Sequence, residues 1–333
     1  MRRLALPVIV AGALLGPATP AFAHGGDAPD ATAYRTTVTG ISTPEKGLSI
    51  RTVEAGARLE LTNKTGHSVE VLGYSGEPYL DIRPDGTWEN VRSPAAYLNA
   101  TRTGDNPVPA AADPTAPPSW RKLSSSTTVR WHDRRTHWLS ADLPPQAVAD
   151  PSRAHRLRSW TVPLREQVRT FEIRGTLDWE PAPRAWLWWI SAALVLVSAF
   201  GLLRRWSGAV RPVALAGAFA PFAYAVSTAL DGGAPSLVLV LAGLLPLAAV
   251  FRHPPFYLAL AGACLALFAG FAQTGAFGAA VLPTAGPAGL SRAFVMIALG
   301  VGVAMALTGV LRLRAALPPG TPESSADRTI VIA

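Results

Sequence analysis

The second half of the chain is nearly free of charged side chains, and this constrains its fold more than any other feature. Between residues 185 and 313, long apolar runs alternate with short polar connections. An apolar run of about 20 residues is long enough to cross a bilayer as a helix. The pattern therefore predicts a five-helix transmembrane domain over residues 184–314, with spans at about 186–203, 212–230, 236–251, 256–272 and 291–311.

Arginines flank these spans asymmetrically, and this asymmetry predicts an orientation. They follow the first, third and fifth spans, at Arg204, Arg205, Arg211, Arg252, Arg312 and Arg314, whereas Asp231 follows the second span. Cytoplasmic connections are enriched in arginine and lysine. The chain is thus predicted to lie in the cell membrane as a multi-pass protein, with its N-terminal domain extracytoplasmic and its C-terminus cytoplasmic. Residues 277–282 are too short to cross the membrane, and whether they re-enter it stays open.

The first 23 residues have the three parts of a secretory signal peptide. Met1–Arg3 is basic, Leu4–Leu15 is apolar, and Ala21-Phe22-Ala23 fits a signal-peptidase site. The alternative is an uncleaved first membrane helix, but the apolar run is short for a span and proline and glycine crowd its end. Cleavage after residue 23 makes His24 the first residue of the mature chain.

Residues 24–183 are predicted to form an extracytoplasmic antiparallel β-sandwich of immunoglobulin or cupredoxin type. Apolar and polar side chains alternate over residues 57–62 and 168–177, and turn residues such as Pro84-Asp85-Gly86 separate the strands. Many short strands without a helical period favour a sandwich. The predicted fold class is α+β with segregated domains, and the tail 315–333, rich in proline and serine, is predicted to be disordered.

Composition limits the classes of function. The net charge of +8 does not indicate nucleic-acid binding, because the arginines are dispersed among acidic residues or flank the spans. The single cysteine, Cys264, lies in an apolar run, so the exported domain is held together by its core and not by disulfides. Signatures of hydrolases, phosphate loops and zinc proteases are absent from the sequence. We therefore predict a binding protein and not an enzyme, with the lipid bilayer and a membrane or envelope protein as partners.

Five of the six histidines fall in the first domain, and some of them form a candidate metal site. The α-amino group and ring of His24 can bind one metal ion together, and a ring nitrogen of His132 or His137 would complete a nitrogen set that suits Cu(II). Asp133 can serve as an axial ligand or orient a histidine ring. Tryptophans enclose this segment, Trp131–Trp138, and could keep water out. Copper is the cofactor that this pattern predicts.

Several alternatives stay open for this segment. His24 can follow the cleavage site by coincidence, and His132 and His137 can be a surface or core pair. The tryptophan-rich segment Trp131–Trp138 is equally compatible with sandwich core or with an interaction edge. In that case the chain would be a metal-free envelope scaffold or protein-interaction module. Copper-dependent oxidation would use the same N-terminal histidine and is a further alternative to binding.

The order Ala21-Phe22-Ala23-His24, β-sandwich and membrane segment resembles that of bacterial copper-resistance and copper-trafficking proteins, whose mature chains begin with a histidine ligand. The resemblance implies Cu(II) binding, trafficking or sensing through His24. It covers the processing site and the overall plan, whereas residues 34–180 match none of the internal motifs of those families. The first domain also has no methionine after the signal peptide, which rules out methionine-rich Cu(I) sites. The whole chain resembles an uncharacterised family of membrane-anchored exported proteins of high-GC Gram-positive bacteria, which implies no activity.

Overall fold

The alternating pattern of the first domain forms β-strands. The computed structural model describes residues 31–234, 236–251 and 254–316. Its strands are β1 (Tyr34–Ile41), β2 (Leu48–Val53), β3 (Arg58–Asn63), β4 (Val69–Leu72), β5 (Pro78–Arg83), β6 (Gly86–Asn90), β7 (Trp120–Ser124), β8 (Thr128–Trp131), β9 (His155–Glu166) and β10 (Arg169–Trp179). Two short helices, α1 (Ala95–Leu98) and α2 (Pro145–Ala149), lie between strands. The predicted signal peptide, His24 and the tail from residue 317 lie outside the described residues.

The strands form two antiparallel sheets. Seven strands follow the order β1-β10-β9-β4-β5-β6-β7, and three follow the order β2-β3-β8. Strand β3 shows why each sheet has one apolar face: Leu59 and Leu61 are buried, while Glu60, between them, points away from the core. Side chains of both sheets meet in one apolar core, which places the sheets face to face. Together with the helices that follow, this arrangement confirms the predicted fold class.

The apolar runs of the second half form helices. They are α3 (Ala185–Arg205), α4 (Val210–Leu230), α5 (Leu237–Ala249), α6 (Pro255–Cys264) and α7 (Ala288–Ala316). A π-helical and a 3₁₀ segment continue α6 to Phe277. Within the described chain, four helical segments are long and apolar enough to cross a membrane, whereas α5 has 13 residues and is shorter than a span. The chain therefore has the helices of a multi-pass membrane protein, and the fifth span stays a prediction.

The chain forms two compact units. The first contains the β-domain up to Trp188 together with Ala223–Ser236 and Ala272–Phe294. The second contains Trp189–Phe222, Leu237–Phe271 and the chain from Val295 onwards. The β-domain therefore belongs to the same unit as the end of α4, the connection after it and the connection before α7.

The connection before α7 is attached to the β-domain by backbone hydrogen bonds. Thr32 and Val281 form an isolated antiparallel bridge, with N–H···O distances of 2.9 and 2.8 Å. Arg292, in the first turns of α7, is buried and donates to the carbonyl oxygens of Ala276 and Ala279 at 2.9 and 2.6 Å. The short stretch 277–282, for which re-entry into the membrane is an open question, thus includes Val281, whose backbone pairs with the β-domain.

Glycines set the closest approach of helices in the second unit. A Cβ atom on Gly302 would lie 2.5 Å from the backbone nitrogen of Ala266, and one on Gly262 would lie 2.3 Å from that of Ala306. Non-bonded atoms do not approach so closely, so these contacts require glycine. Small residues let helix backbones approach each other in a membrane, where packing replaces the hydrophobic effect as the source of association.

We expect Gly302→Ala to destabilise the helices, because the added methyl group forces α6 and α7 apart at a cost of about 1–3 kcal/mol. Gly201→Ala is the matched control: a Cβ there meets no atom within 4 Å. Since alanine is the better helix former by about 1 kcal/mol, this control should be neutral or stabilising. Thermal unfolding of the full chain in detergent, followed by circular dichroism, measures both. Equal unfolding temperatures for the two variants would contradict the packing described above.

Candidate functional site

The segment Trp131–Trp138 leaves β8 and turns through a short 3₁₀ helix, Arg134–Thr136. Asp133 begins this turn, and its carboxylate accepts a hydrogen bond from the backbone nitrogen of Arg135 at 3.1 Å. A side-chain acceptor at this position satisfies a backbone donor that lacks a partner at the start of a helical turn. The cap fixes the path of the chain after β8, with His132 before the helical turn and His137 after it.

Both histidines of the segment bond to one backbone oxygen. His132 Nδ1 lies 2.8 Å from the carbonyl oxygen of Ala57, and His137 Nε2 lies 3.0 Å from the same atom. Both residues are buried, and the ring centroids are 6.4 Å apart. Because a carbonyl oxygen can only accept, each facing nitrogen carries a hydrogen. The structure thus brings two of the predicted ligands together around a shared backbone acceptor.

The tautomers decide which ring nitrogens stay available. His132 Nε2 accepts a hydrogen bond from Arg58 Nε at 3.1 Å, so both nitrogens of this ring are engaged. His137 donates through Nε2, which leaves the lone pair on Nδ1. This Nδ1 atom accepts no hydrogen bond from the part of the chain that the structure describes. His137 can therefore offer a nitrogen to a ligand without losing an existing bond.

The third predicted ligand of the segment, Asp133, is fully buried and already forms an ion pair with Arg135. Its carboxylate accepts from Arg135 Nε and Nη2, each at 2.8 Å, and from Trp131 Nε1 at 3.2 Å. The forked geometry of arginine and carboxylate makes such a pair strong and directional. To serve as an axial metal ligand, Asp133 would have to give up this ion pair, and breaking a buried pair is costly.

The His137 ring is held in its neutral form. The pKa of His137 is lowered from 6.5 to about 4, mainly by burial and also by repulsion from His132 and Arg102. The hydrogen bond to Ala57 and the charge of Asp133 act in the opposite direction. Neutral imidazole is the form that binds a metal ion, so His137 is ready for this role at physiological pH.

His24 lies outside the described residues, but the first described strand begins beside the candidate segment. The ring of Tyr34 stacks on that of Trp138, with centroids 6.4 Å apart. The hydroxyl of Thr36 donates to the carbonyl oxygen of Thr136 at 2.8 Å. Among the described residues, no group of three or more His, Cys, Asp or Glu side chains could hold a metal ion. A site with three such side chains on this segment would take its third ligand from outside the described residues, as His24 would be.

The turn between β2 and β3 joins the candidate segment to the connection after α4. The backbone nitrogen of Glu54 donates to the carbonyl oxygen of Asp231, and that of Ala55 donates to its carboxylate, both at 2.8 Å. Glu54, Ala55 and Gly56 have φ values of 58°, 58° and 84°. Left-handed backbone is uncommon for non-glycine residues and persists where neighbouring contacts impose it. The next residue, Ala57, provides the carbonyl that the two histidines share.

Two arginines of the three-stranded sheet strengthen the contact with this connection. Arg51 Nη1 donates to the carbonyl oxygen of Leu230 at 3.1 Å, and Arg130 Nη1 donates to that of Gly232 at 2.7 Å. Both guanidinium groups also pair with the carboxylate of Glu60, each through Nε at 2.6 Å. Glu60 thereby aligns the two arginines for their contacts with the chain at the end of α4.

The sequence gives no signal for some polar residues that surround the segment. The hydroxyl of Tyr74 accepts from the backbone nitrogen of Arg134 at 3.1 Å and donates to the side-chain oxygen of Asn99. Burial raises the pKa of Tyr74 to about 12, so its hydroxyl stays protonated and can donate. These residues come from separate loops, and neither spacing nor composition connects them before folding.

The chain matches no protein-family model, no curated protein and no solved structure. Its function is therefore inferred from the geometry and chemistry of its own residues, since a fold alone does not specify a function. The residues that carry this inference are His132, His137 and the turn that holds them.

We expect stability to fall at acidic pH because of His137. Its pKa is about 4 in the folded chain and near the ordinary 6.5 in the unfolded chain, so the unfolded chain binds more protons between these values. Its contribution to stability is complete above about pH 6.5, declines as the pH falls towards 4, and levels off below that. The loss is on the order of 3 kcal/mol. Urea unfolding of the full chain in detergent across this pH range measures it.

Two variants isolate the contribution of His137. His137→Gln keeps an amide N–H donor for Ala57 but does not titrate, so its stability should depend less on pH over this range. His67→Gln is the matched control, because His67 is exposed in the turn between β3 and β4. Identical pH profiles for the wild-type chain and both variants would show that His137 is not the titrating group.

Proposed function

We propose that the chain spans the membrane with its β-domain outside the cytoplasm and its C-terminus in the cytoplasm. Arg204 and Arg205 end α3, and Arg312 near the end of α7 donates to the carbonyl oxygen of Leu203 at 3.0 Å. These arginine-bearing helix ends therefore lie together. The β-domain contacts the chain at Asp231 instead, in a connection that has no arginine or lysine. Arginine is enriched on the cytoplasmic side, which supports this orientation.

Within this arrangement, the β-domain acts as a binding module that passes ligand binding on to α4. The observation that supports this proposal is that the turn Glu54–Ala57 forms hydrogen bonds both with the two histidines and with Asp231. A ligand that shifts the ring of His132 or His137 has to move the turn with it through the carbonyl of Ala57, or else leave a backbone acceptor unpaired. The same turn binds Asp231, the residue directly after α4. A change at the histidines thus reaches the end of α4 through a few consecutive residues.

We expect Asp231→Ala to loosen both the turn and the histidine segment. The variant removes the acceptor of Ala55 N–H, and a lost hydrogen bond to a charged group costs about 1.5–3 kcal/mol. Hydrogen exchange of the full chain in detergent, read by mass spectrometry, should rise in residues 54–57 and in 131–138.

Asp113→Ala is the control for this experiment, since Asp113 is exposed in the loop before β7 and bonds only within that loop. It should leave exchange in both segments unchanged. Faster exchange confined to the connection around Asp231 would refute transmission through the turn.

Cu(II) is the ligand that the sequence favours, and the site that we propose for it uses two histidines, His24 and His137. His137 has a neutral ring, and its Nδ1 accepts no hydrogen bond from the described residues. Its neighbour Trp138 stacks on Tyr34, and Tyr34 lies ten positions after His24 in the chain. An extended chain covers about 3.3 Å per residue, so His24 can reach this segment. The copper site proposed here consists of the α-amine and ring of His24 with His137 Nδ1, a set of three nitrogens that suits Cu(II).

The copper proposal predicts that affinity depends on a free amine at His24. The full chain starting at His24 should bind Cu(II) in a calorimetric titration. One alanine added before His24, or the His137→Gln substitution, should weaken binding by about tenfold or more, since each removes one nitrogen ligand. His67→Gln should bind like the unmodified chain. Equal affinities for all four proteins would exclude this site.

The second candidate function is a metal-free interaction module in the cell envelope. It is favoured by the engagement of His132 with Arg58 and of Asp133 with Arg135, which gives both predicted ligands a structural role. With this function, the segment Trp131–Trp138 holds the turn in place, and the ligand that binds the segment is a protein partner and not a metal ion. A chain that shows the predicted hydrogen-exchange coupling but no Cu(II) binding would select this function.

A further inference from the structure

Arginines of the β-domain usually face a carboxylate. Ion pairs within 4.0 Å join Arg35, Arg51, Arg58, Arg83, Arg121, Arg130, Arg135, Arg153, Arg156, Arg165, Arg169 and Arg174 to aspartate or glutamate. Three arginines around the candidate segment differ. Arg102, Arg134 and Arg158 form no ion pair with any acidic residue in the described ranges. Their positive charge is therefore not balanced by the described part of the protein.

These three side chains converge on one short stretch of backbone. Arg158 Nη2 donates to the carbonyl oxygens of both Arg134 and His137. Its Nε and Nη1 groups donate to none of the residues that the structure describes. Arg102 lies close enough to His137 for its charge to act on that ring. The stretch 134–137 thus includes Arg134, accepts two hydrogen bonds from Arg158 and lies within the electrostatic range of Arg102, and Arg158 has N–H donors that bond to no described residue.

The Arg134 side chain is held in place although its guanidinium group has no acceptor. Its Nε atom is buried and makes no hydrogen bond with the described chain. Gly104, with a φ of 72°, packs directly against it: a Cβ on Gly104 would lie 2.9 Å from both Cδ and Nε of Arg134. A buried donor without a partner costs about 1–3 kcal/mol, so its presence needs an explanation.

The nearest carboxylate does not provide that explanation. Asp133 adjoins Arg134 in sequence, but it is fully buried and both of its oxygens are bonded to Arg135. The hydroxyl of Tyr74 contacts the backbone of Arg134 and not its guanidinium group. Among the residues that the structure describes, no carboxylate accepts from the Arg134 guanidinium group.

We propose that Arg102, Arg134 and Arg158 form a binding site for a phosphate-type oxyanion, with Arg134 as its central residue. A guanidinium group presents paired N–H donors that match the oxygens of a phosphate group, which a lysine cannot do in the same way. The oxyanion would accept from the terminal N–H groups of Arg134, beyond the buried Nε, and from the unused donors of Arg158, while Arg102, which is exposed, would close the site from the surface.

Two sources of this chemistry are available to a membrane protein: a free phosphate and the headgroup of an anionic lipid. Arg158 pairs with Leu177 on β10, and β10 ends at Trp179, a few residues before α3. The site is thus close along the sheet to the point where the chain enters its first membrane helix. The proposal deepens the binding role proposed above by naming a ligand, but it requires neither copper nor the contact to Asp231.

The experiment measures binding to the full chain in two arms. In the first, inorganic phosphate is titrated into the protein in neutral detergent. In the second, the protein is placed in nanodiscs of phosphatidylcholine with or without phosphatidylglycerol, and thermal stability reports lipid binding. Binding in the first arm identifies a free phosphate as the source, and stabilisation by phosphatidylglycerol alone identifies a lipid headgroup. Both results support the site, whereas no effect in either arm overturns it.

Variants assign the effect to this cluster. Arg134→Gln should weaken binding by about tenfold or more, because one charged hydrogen bond contributes about 1.5–3 kcal/mol. Arg134→Lys should restore only part of it, since lysine keeps the charge but not the fork. Arg102→Gln changes an exposed side chain and keeps the test valid if Arg134→Gln fails to fold. Arg153→Gln, at a side chain 82% exposed and paired with Asp150, is the matched control.

Binding that is equally strong in Arg134→Gln, Arg102→Gln and Arg153→Gln would overturn the proposal, because the anion would then be held elsewhere. The same result would leave the hydrogen-exchange coupling of Asp231→Ala untouched. Failure of the oxyanion site and failure of the proposed coupling to α4 are therefore separate outcomes.

Discussion

The backbone of the β2–β3 turn forms hydrogen bonds on two sides, and the ordered structure of the first unit depends on both sets. On one side, the N–H groups of Glu54 and Ala55 bind Asp231; on the other, the carbonyl of Ala57 binds two histidine rings. Buried backbone groups cost about 1–3 kcal/mol each when they lose their partners. Neither set can be lost without exposing the turn to water or leaving a polar group unpaired.

The conformation of this turn makes it sensitive to its partners. Glu54 and Ala55 both have positive φ, which costs non-glycine residues about 1–3 kcal/mol each. A hairpin of this kind is stable only while the contacts around it offset that cost. The contacts come from Asp231 on one side and from the 131–138 segment on the other, so a change in either partner alters the balance. The β9–β10 hairpin also has a non-glycine residue with positive φ, Gln167, but its neighbour Val168 is exposed.

The sequence was sufficient to predict the fold class, because alternation of side chains and long apolar runs are local signals. It was also sufficient to place His132 and His137 near each other, since they are only five positions apart in the chain. The shared acceptor could not be predicted: Ala57 is the last residue of the β2–β3 turn, and the pairing of β3 with β8 brings it to the histidines. The strength of the Asp133–Arg135 ion pair could not be predicted either. The two residues are close in the sequence, but the burial that makes the pair strong arises only on folding.

Charge decides how the two proposed ligands relate to each other. A Cu(II) ion on His137 would lie in the field of Arg102 and near the guanidinium groups of Arg134 and Arg158, and like charges repel more strongly where water is excluded. An oxyanion on those arginines would reduce this repulsion. Coupling between two sites is reciprocal, so bound copper would strengthen anion binding to the same extent. The arginines therefore do not exclude a metal ion from the segment: if both proposals hold, the affinity for the metal ion depends on whether the anion is bound.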